Sequence, residues 1–165
     1  MPDKLPELLV EALDDPRRPW AAALLARSWG ETRVVSRGRI HQADRLAGFV
    51  ALIDGQPAGL LTYHIEGAAC EIVTLDSLLE KRGVGTALIE AAAGAARAAG
   101  CTRLWLITTN DNTPALRFYQ RRGFVLAALH RGAVEQSRRL KPSIPLTGLD
   151  GIPIRDEIEL ERALL

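Results

Sequence analysis

The passage GFVALIDGQPAGLLTYHIEGAACEIVTLDSL, residues 48–78, constrains the fold more than any other part of the chain. Three runs rich in Val, Ile, Leu, Thr and Tyr are cut by Asp54-Gly55 and Glu66-Gly67. Short Xaa-Gly breaks between β-rich runs are the signal of tight hairpins, so this passage predicts a three-stranded antiparallel meander. The next stretch, EKRGVGTALIEAAAGAARAAG, changes period. It places Val84, Ala87, Leu88, Ala91, Ala95 and Ala98 at helical spacing, which predicts a slim helix able to lie close on a sheet.

The remaining elements follow from the same signals. RRPWAAALLARSWG predicts a helix over 18–29 stopped by Gly30, and TRVVSRGRI reads as a strand broken at Gly38. CTRLWLITT is a short buried strand. TPALRFYQRRG is a helix with Pro114 in its first turn and Gly123 as its stop, and FVLAALH is a strand. AVEQSRRLK reads as a helix, and IPIRDEIELERAL beyond Asp150-Gly151 alternates as a strand. Hairpins first and crossovers later predict an α/β chain of the α+β type. It has a single mixed, largely antiparallel central sheet flanked by helices. With 165 residues, the expectation is one domain over 1–165.

Charge and targeting signals narrow the partners. Twenty-one basic and 20 acidic residues leave a formal charge of +1, so no global field favours nucleic acid or an anionic membrane. No run approaches the ~20 apolar residues of a membrane span. The segment MPDKLPELLVEALDDP carries acids and prolines where a signal peptide carries lysines and an apolar run. Cys70 and Cys101 lie in apolar, strand-like runs and read as buried thiols of a reducing compartment. The expected location is the cytoplasm. His41, His64 and His130 have no metal-ligand spacing and read as surface or satisfied core residues, so no metal is expected.

The glycines at the head of the alanine-rich helix carry chemistry. A helix N-terminus presents unpaired N–H groups and a partial positive charge, which suits phosphate. Gly83, Val84, Gly85 and Thr86 supply consecutive donors, and Lys81 and Arg82 add positive charge. A glycine also lets a ligand approach the main chain, so Gly85→Val is expected to weaken anion binding with the fold retained. A Walker loop is excluded because Gly85 is followed by Thr-Ala, and a dinucleotide fingerprint lacks its third glycine.

Downstream, NDNTPALRFYQRRGF carries N-x-x-A-x-x-x-Y-x-x-x-G-F from Asn112 to Phe124, and 27 residues separate Gly85 from Asn112. The two motifs together resemble the GNAT acetyltransferase superfamily over about residues 46–130. Members of that family move acetyl from acetyl-CoA to an amine. The resemblance implies that Lys81, Arg82, Gly83, Val84, Gly85 and Thr86 cradle the CoA pyrophosphate. It also implies that Val73 and Leu75 pair with the pantetheine arm, Asn112 binds the pantetheine or acetyl end, and Ala115 and Phe118 touch the cofactor. One departure is Glu80, which stands where the family usually has Gln or Arg.

The reaction sets further requirements. A free alkylamine has a pKa of about 10.4 and must lose a proton before it attacks a thioester. The oxyanion needs an N–H donor, for which the Val73 amide is the candidate. Tyr119 matches the family's tyrosine near the thioester sulfur and is the candidate acid for the departing thiolate. Glu71, near the start of the central strand, is the candidate base.

The C-terminal run GIPIRDEIELE puts Asp156 on the same parity as Ile152, Ile154, Ile158 and Leu160, aimed at the interior. An inward carboxylate requires a partner. The candidates are the ammonium of the acceptor, an arginine across the sheet, or a bulge that turns Asp156 outward. The expectation is therefore an acetyl-CoA-dependent N-acetyltransferase acting on a primary amine of a small molecule or peptide. A non-catalytic acyl-CoA sensing module is the alternative, and a homodimer is left open.

Overall fold

The meander forms where its turns require it, with left-handed Asp54 and Gly55 closing the first hairpin. The structure, a computed structural model, describes residues 5–165. The first four residues of the N-terminal segment read above lie outside it. The strands are β1 (Leu8–Ala12), β2 (Arg33–Ser36), β3 (Arg39–Gln42), β4 (Ala47–Ile53), β5 (Gln56–Glu66), β6 (Ala69–Ser77), β7 (Arg103–Thr109), β8 (Val125–His130) and β9 (Glu157–Ala163). The helices are α1 (Arg18–Trp29), α2 (Val84–Ala98), α3 (Thr113–Gln120) and α4 (Ala133–Leu140).

Seven strands form one sheet in the order β1-β4-β5-β6-β7-β9-β8. Every neighbouring pair is antiparallel except β6 and β7, which run parallel because α2 crosses between them. This is the mixed, mainly antiparallel sheet that the sequence predicts. One face buries Ala58, Leu61, Cys70, Ile72, Leu104 and Leu106 with α2 and α3. The opposite face buries Val50, Leu52, Leu60 and Val73 with α1. Each helix thus removes one apolar stripe from water, at roughly 25 cal/mol per Å² of apolar surface covered.

Four sequence expectations need correction. β1 is a strand that the acid- and proline-containing N-terminus concealed. It pairs only with β4, so alternation shows on one side of a sheet edge. TRVVSRGRI is two strands, not one, because left-handed Arg37 and Gly38 turn the chain back on itself. On α2 the buried set is Val84, Gly85, Leu88, Ile89, Ala92, Ala93 and Ala96, whereas Ala98 is exposed. An alanine-rich helix looks apolar on every side, so its sequence carries little phase information. The C-terminal strand begins only at Glu157, and residues 152–156 lead into it as an irregular segment whose Pro153 bridges Thr147.

Candidate active site

The site is built around an irregularity in β6. Thr62 of β5 faces Thr74 and Tyr63 faces Ile72, which leaves Val73 as an extra residue with no cross-strand partner. Such a bulge bends its strand and interrupts the ladder locally. Beside it, Thr62 Oγ1 and Thr74 Oγ1 share a buried hydrogen bond of 2.6 Å that holds the register. β6 and β7 pair only from Ala69–Glu71 against Arg103–Trp105, so the parallel ladder stops just before the bulge. Beyond that point the two strands part.

Two cavities occupy the gap. The first, of about 140 Å³, lies toward α1 and the β2–β3 hairpin and includes Ser36, Glu71, Val73, Val134 and Glu157 in its lining. The second, of about 130 Å³, lies toward α3 and includes Val73, Leu75, Asn112, Ala115 and Tyr119. Trp29, Ile72, Val73, Ile107, Thr108 and Asn112 line both. The two spaces therefore adjoin across the sheet, with the bulge at their junction.

The first cavity is acidic. Glu71 is 6% exposed, accepts a hydrogen bond from Ser36 Oγ, and has His41 Nε2 3.6 Å from Oε2. Glu157 is 3% exposed, accepts from the Arg37 amide at 3.2 Å, and lies 3.6 Å from Arg37 Nη1. Among the described residues, no lysine, arginine or histidine lines this space. Arg37 offsets the Glu157 charge, whereas Glu71 has no lysine or arginine against it, which favours a positively charged occupant beside Glu71. At the rim, Trp29 Nε1 donates to Asp76 Oδ2 at 3.0 Å, and desolvation raises the Asp76 pKa against that bond.

In the second cavity Tyr119 is buried between the rings of Phe118 and Phe124. Burial, with the Asp76 carboxylate adding to it, pushes the Tyr119 hydroxyl well above its ordinary pKa. The Asn112 side chain caps α3, its Oδ1 accepting from the Ala115 amide at 3.2 Å. That cap accounts for asparagine at the head of this helix independently of any ligand.

The N-terminus of α2 packs against α3, whose Ala115 and Tyr119 line the second cavity. Gly83 has a left-handed φ of 73° with open space where a Cβ would stand, and Lys81 is also left-handed. The amides of Val84, Gly85 and Thr86 have no acceptor within the helix. Lys81, Arg82 and Thr86 are exposed. A cation not read from the sequence joins them. Arg122 Nε donates to Thr86 Oγ1 at 2.8 Å, and its guanidinium lies 3.6 Å from the centre of the Phe118 ring. An anion fits this helix terminus by donor chemistry and by charge.

Two candidate residues have other work. A Cβ on Gly85 would meet Phe118 Cζ at 2.7 Å, so this glycine makes room for a ring of α3 and not for a ligand. Phe118 lines neither cavity, unlike Ala115. Asp156 also stays outside the cleft. Its Oδ1 accepts from the Gly132 amide at 2.8 Å, at the head of α4, and Arg155 Nε lies 3.6 Å from Oδ2. The carboxylate that enters the cleft is its neighbour Glu157, which has the opposite parity to Ile158 and Leu160 and so faces the other side of the sheet. His41 differs from its reading as well: it is buried and its Nε2 has no hydrogen-bond partner. Cys70 and Cys101 are free and buried as expected, and burial raises the Cys70 thiol to about 12. Among the described residues no group of side chains could hold a metal ion, and no helix is long and apolar enough to cross a membrane.

The acetyltransferase (GNAT) family model matches residues 7–124, and the chain belongs to this family. It is therefore an acetyltransferase enzyme rather than a non-catalytic module. The uncharacterised Bacillus subtilis protein YdhI is 45% identical over 140 residues, 84% of this chain and 88% of that protein. Streptothricin acetyltransferase of Streptomyces lavendulae is 41% identical over 69 residues, 39% of this chain and 36% of that enzyme. Among solved structures, an IAA acetyltransferase from Bacillus cereus superposes with a TM-score of 0.73 at 23% identity, covering 96% of this chain and all of the other. A Bacillus subtilis acetyltransferase in complex with CoA superposes with a TM-score of 0.70 at 20% identity, with the same coverage. The sheet, its splayed parallel pair and the flanking helices are the fold of these enzymes.

Proposed function

We propose that this chain is an N-acetyltransferase that places the acetyl group of acetyl-CoA on a primary amine of a small molecule or peptide. Acetyl-CoA is the acetyl donor and supplies an activated thioester. The observation that carries the reading is the meeting of two cavities at Val73, with a buried carboxylate on one side and a buried tyrosine on the other. Lys81, Arg82, Arg122 and the first amides of α2 would hold the pyrophosphate. Val73 and Leu75, on the strand edge exposed by the splay, would align the pantetheine arm, with Ala115 against it. The partial match to a streptothricin acetyltransferase supports a small-molecule amine.

The acidic cavity receives the acceptor as an ammonium, and Glu71 takes its proton. The Val73 amide at the bulge would donate to the carbonyl oxygen as charge develops there. Tyr119 keeps its proton because burial disfavours its anion. Full transfer from so weak an acid to a thiolate of pKa about 8.5 is uphill, so its role is a hydrogen bond to the departing sulfur. A single domain over residues 1–165 is the reading that β8 and β9 support, since they join the same sheet beyond the matched segment. Two unpaired cysteines support the cytoplasm as its location.

The test is release of CoA thiol from acetyl-CoA in the presence of streptothricin, spermidine, lysine amide and a tripeptide with a free N-terminus. At least one amine should raise thiol release well above the rate in buffer, with an N-acetyl product found by mass spectrometry. Release that no such amine accelerates sinks the assignment.

A further inference from the structure

From the geometry around Glu71 we infer that His41 and His64 form the route by which the proton taken from the acceptor leaves the site. The inference rests on Glu71 being the base. The need for an exit follows from the balance of the reaction. An ammonium brings three N–H bonds. The N–C bond forms and the C–S bond breaks, one hydrogen stays on the amide and one ends on sulfur. One proton per turnover must therefore reach solvent from Glu71, which is 6% exposed.

Three observations place the route. His41 is 4% exposed and its Nε2 has no hydrogen-bond partner, although buried polar atoms are almost always paired. That nitrogen lies 3.6 Å from Glu71 Oε2, a few tenths of an ångström beyond hydrogen-bond length. The His41 ring packs on the ring of His64 at 5.5 Å, and the His64 side chain is 27% exposed. His64 and Glu71 both line a groove on the protein surface, together with Glu66, Arg103 and Trp105. Glu71 is thus the one carboxylate that lines both the acceptor cavity and this groove.

The groups around the pair leave the route open. Ser36 of β2 occupies the other oxygen of Glu71. Arg103 of β7 is held by Glu159 and Glu161, and Arg39 of β3 by Glu66. The titratable groups facing His41 are Glu71 from β6 and His64 from β5. Imidazole exchanges protons near neutral pH, which suits a relay between a carboxylate and water. His41 acts through Glu71 and does not itself touch the acceptor cavity.

The experiment compares His41→Gln, His64→Gln and Glu71→Gln, using saturating acetyl-CoA and the fastest amine of the panel above. His41→Gln should lower kcat at least about tenfold in dilute buffer, with acetyl-CoA affinity by calorimetry unchanged. Raising the buffer base at constant ionic strength should recover much of that loss, while the wild-type rate stays flat. A purely structural histidine would show no such recovery. His64→Gln, at the partly exposed end, should show the same buffer dependence with a smaller loss, and it decides the matter if His41→Gln does not fold. Wild-type rates in both histidine variants, or losses insensitive to buffer, overturn the relay. Glu71→Gln separates the two readings: if it alone loses turnover, the base stands and only the relay fails. If it keeps turnover, the base itself is wrong.

Discussion

The ring of Phe118 fills the space that Gly85 leaves by having no side chain, with Cζ 2.7 Å from where a Cβ would stand. This contact locks α3 onto the first turn of α2 and puts Arg122, stacked on the same ring, beside Thr86. The expectation that Gly85→Val spares the fold is therefore replaced. Gly85→Ala should lower stability by about 1–3 kcal/mol through overpacking, and the valine should do worse. Gly83→Ala meets no atom but keeps a left-handed φ, so about 1–2 kcal/mol is expected there. Thermal melts of the variants check this; equal Tm values for Gly85→Val and wild type would remove the packing argument.

Arg122→Met keeps much of the stacking volume and removes the charge at the α2 terminus. Acetyl-CoA binding should weaken about tenfold, or roughly 1.4 kcal/mol, and its dependence on salt should flatten. Calorimetric titrations at two ionic strengths read both effects. Unaltered affinity at low salt would place Arg122 outside the phosphate site.

Tyr119→Phe should reduce kcat by about 10²–10³-fold, the usual cost of one lost donor, with acetyl-CoA affinity retained. The same residue has a spectroscopic signature. Both tyrosines of the chain, Tyr63 and Tyr119, are raised above 10.0 by burial. Absorbance at the tyrosinate band should therefore rise only above the usual range, and activity should show no loss from tyrosine ionisation near pH 10. A full tyrosinate signal centred at pH 10 contradicts the burial.

Asp76 gives a stability prediction with a definite sign. Desolvation raises its pKa above 3.8 in the folded protein, so the native state binds its proton more readily than the unfolded chain does. Its ionisation is a destabilising term at neutral pH that fades as pH falls through the folded pKa. Asp76→Asn keeps an acceptor for Trp29 and should raise Tm at pH 7, with the gain vanishing toward pH 4. A gain that persists in acid would point to a different cause.

Asp156→Ala removes the carboxylate that receives the Gly132 amide at the head of α4. The expected loss is about 1 kcal/mol of stability, as for other helix caps, with the acceptor KM unchanged. A raised KM at normal stability would return Asp156 to the acceptor site.

The sequence by itself determined the local elements and their chemistry. The limits of α1, the meander with its Asp54-Gly55 turn, and the two motifs around Gly83 and Asn112 depend on residues close in the chain. Period, turn residues and caps are short-range physics, so the mixed sheet and the family were legible there. Tertiary structure alone decided which side chains share a cavity. Ser36, Glu71 and Glu157 come from three strands far apart in sequence, and no local pattern marks their meeting. The phase of the alanine-rich α2 was set by the sheet beneath it, because its sequence is apolar all round. Asp156 lies before β9 and binds the Gly132 amide, whereas Glu157 enters the cleft from the sheet face opposite Ile158 and Leu160. Ile158 and Leu160 keep the inward parity that alternation predicts, but Asp156 escapes it because β9 starts only at Glu157. Packing fixes that starting point, and the alternation of the sequence does not.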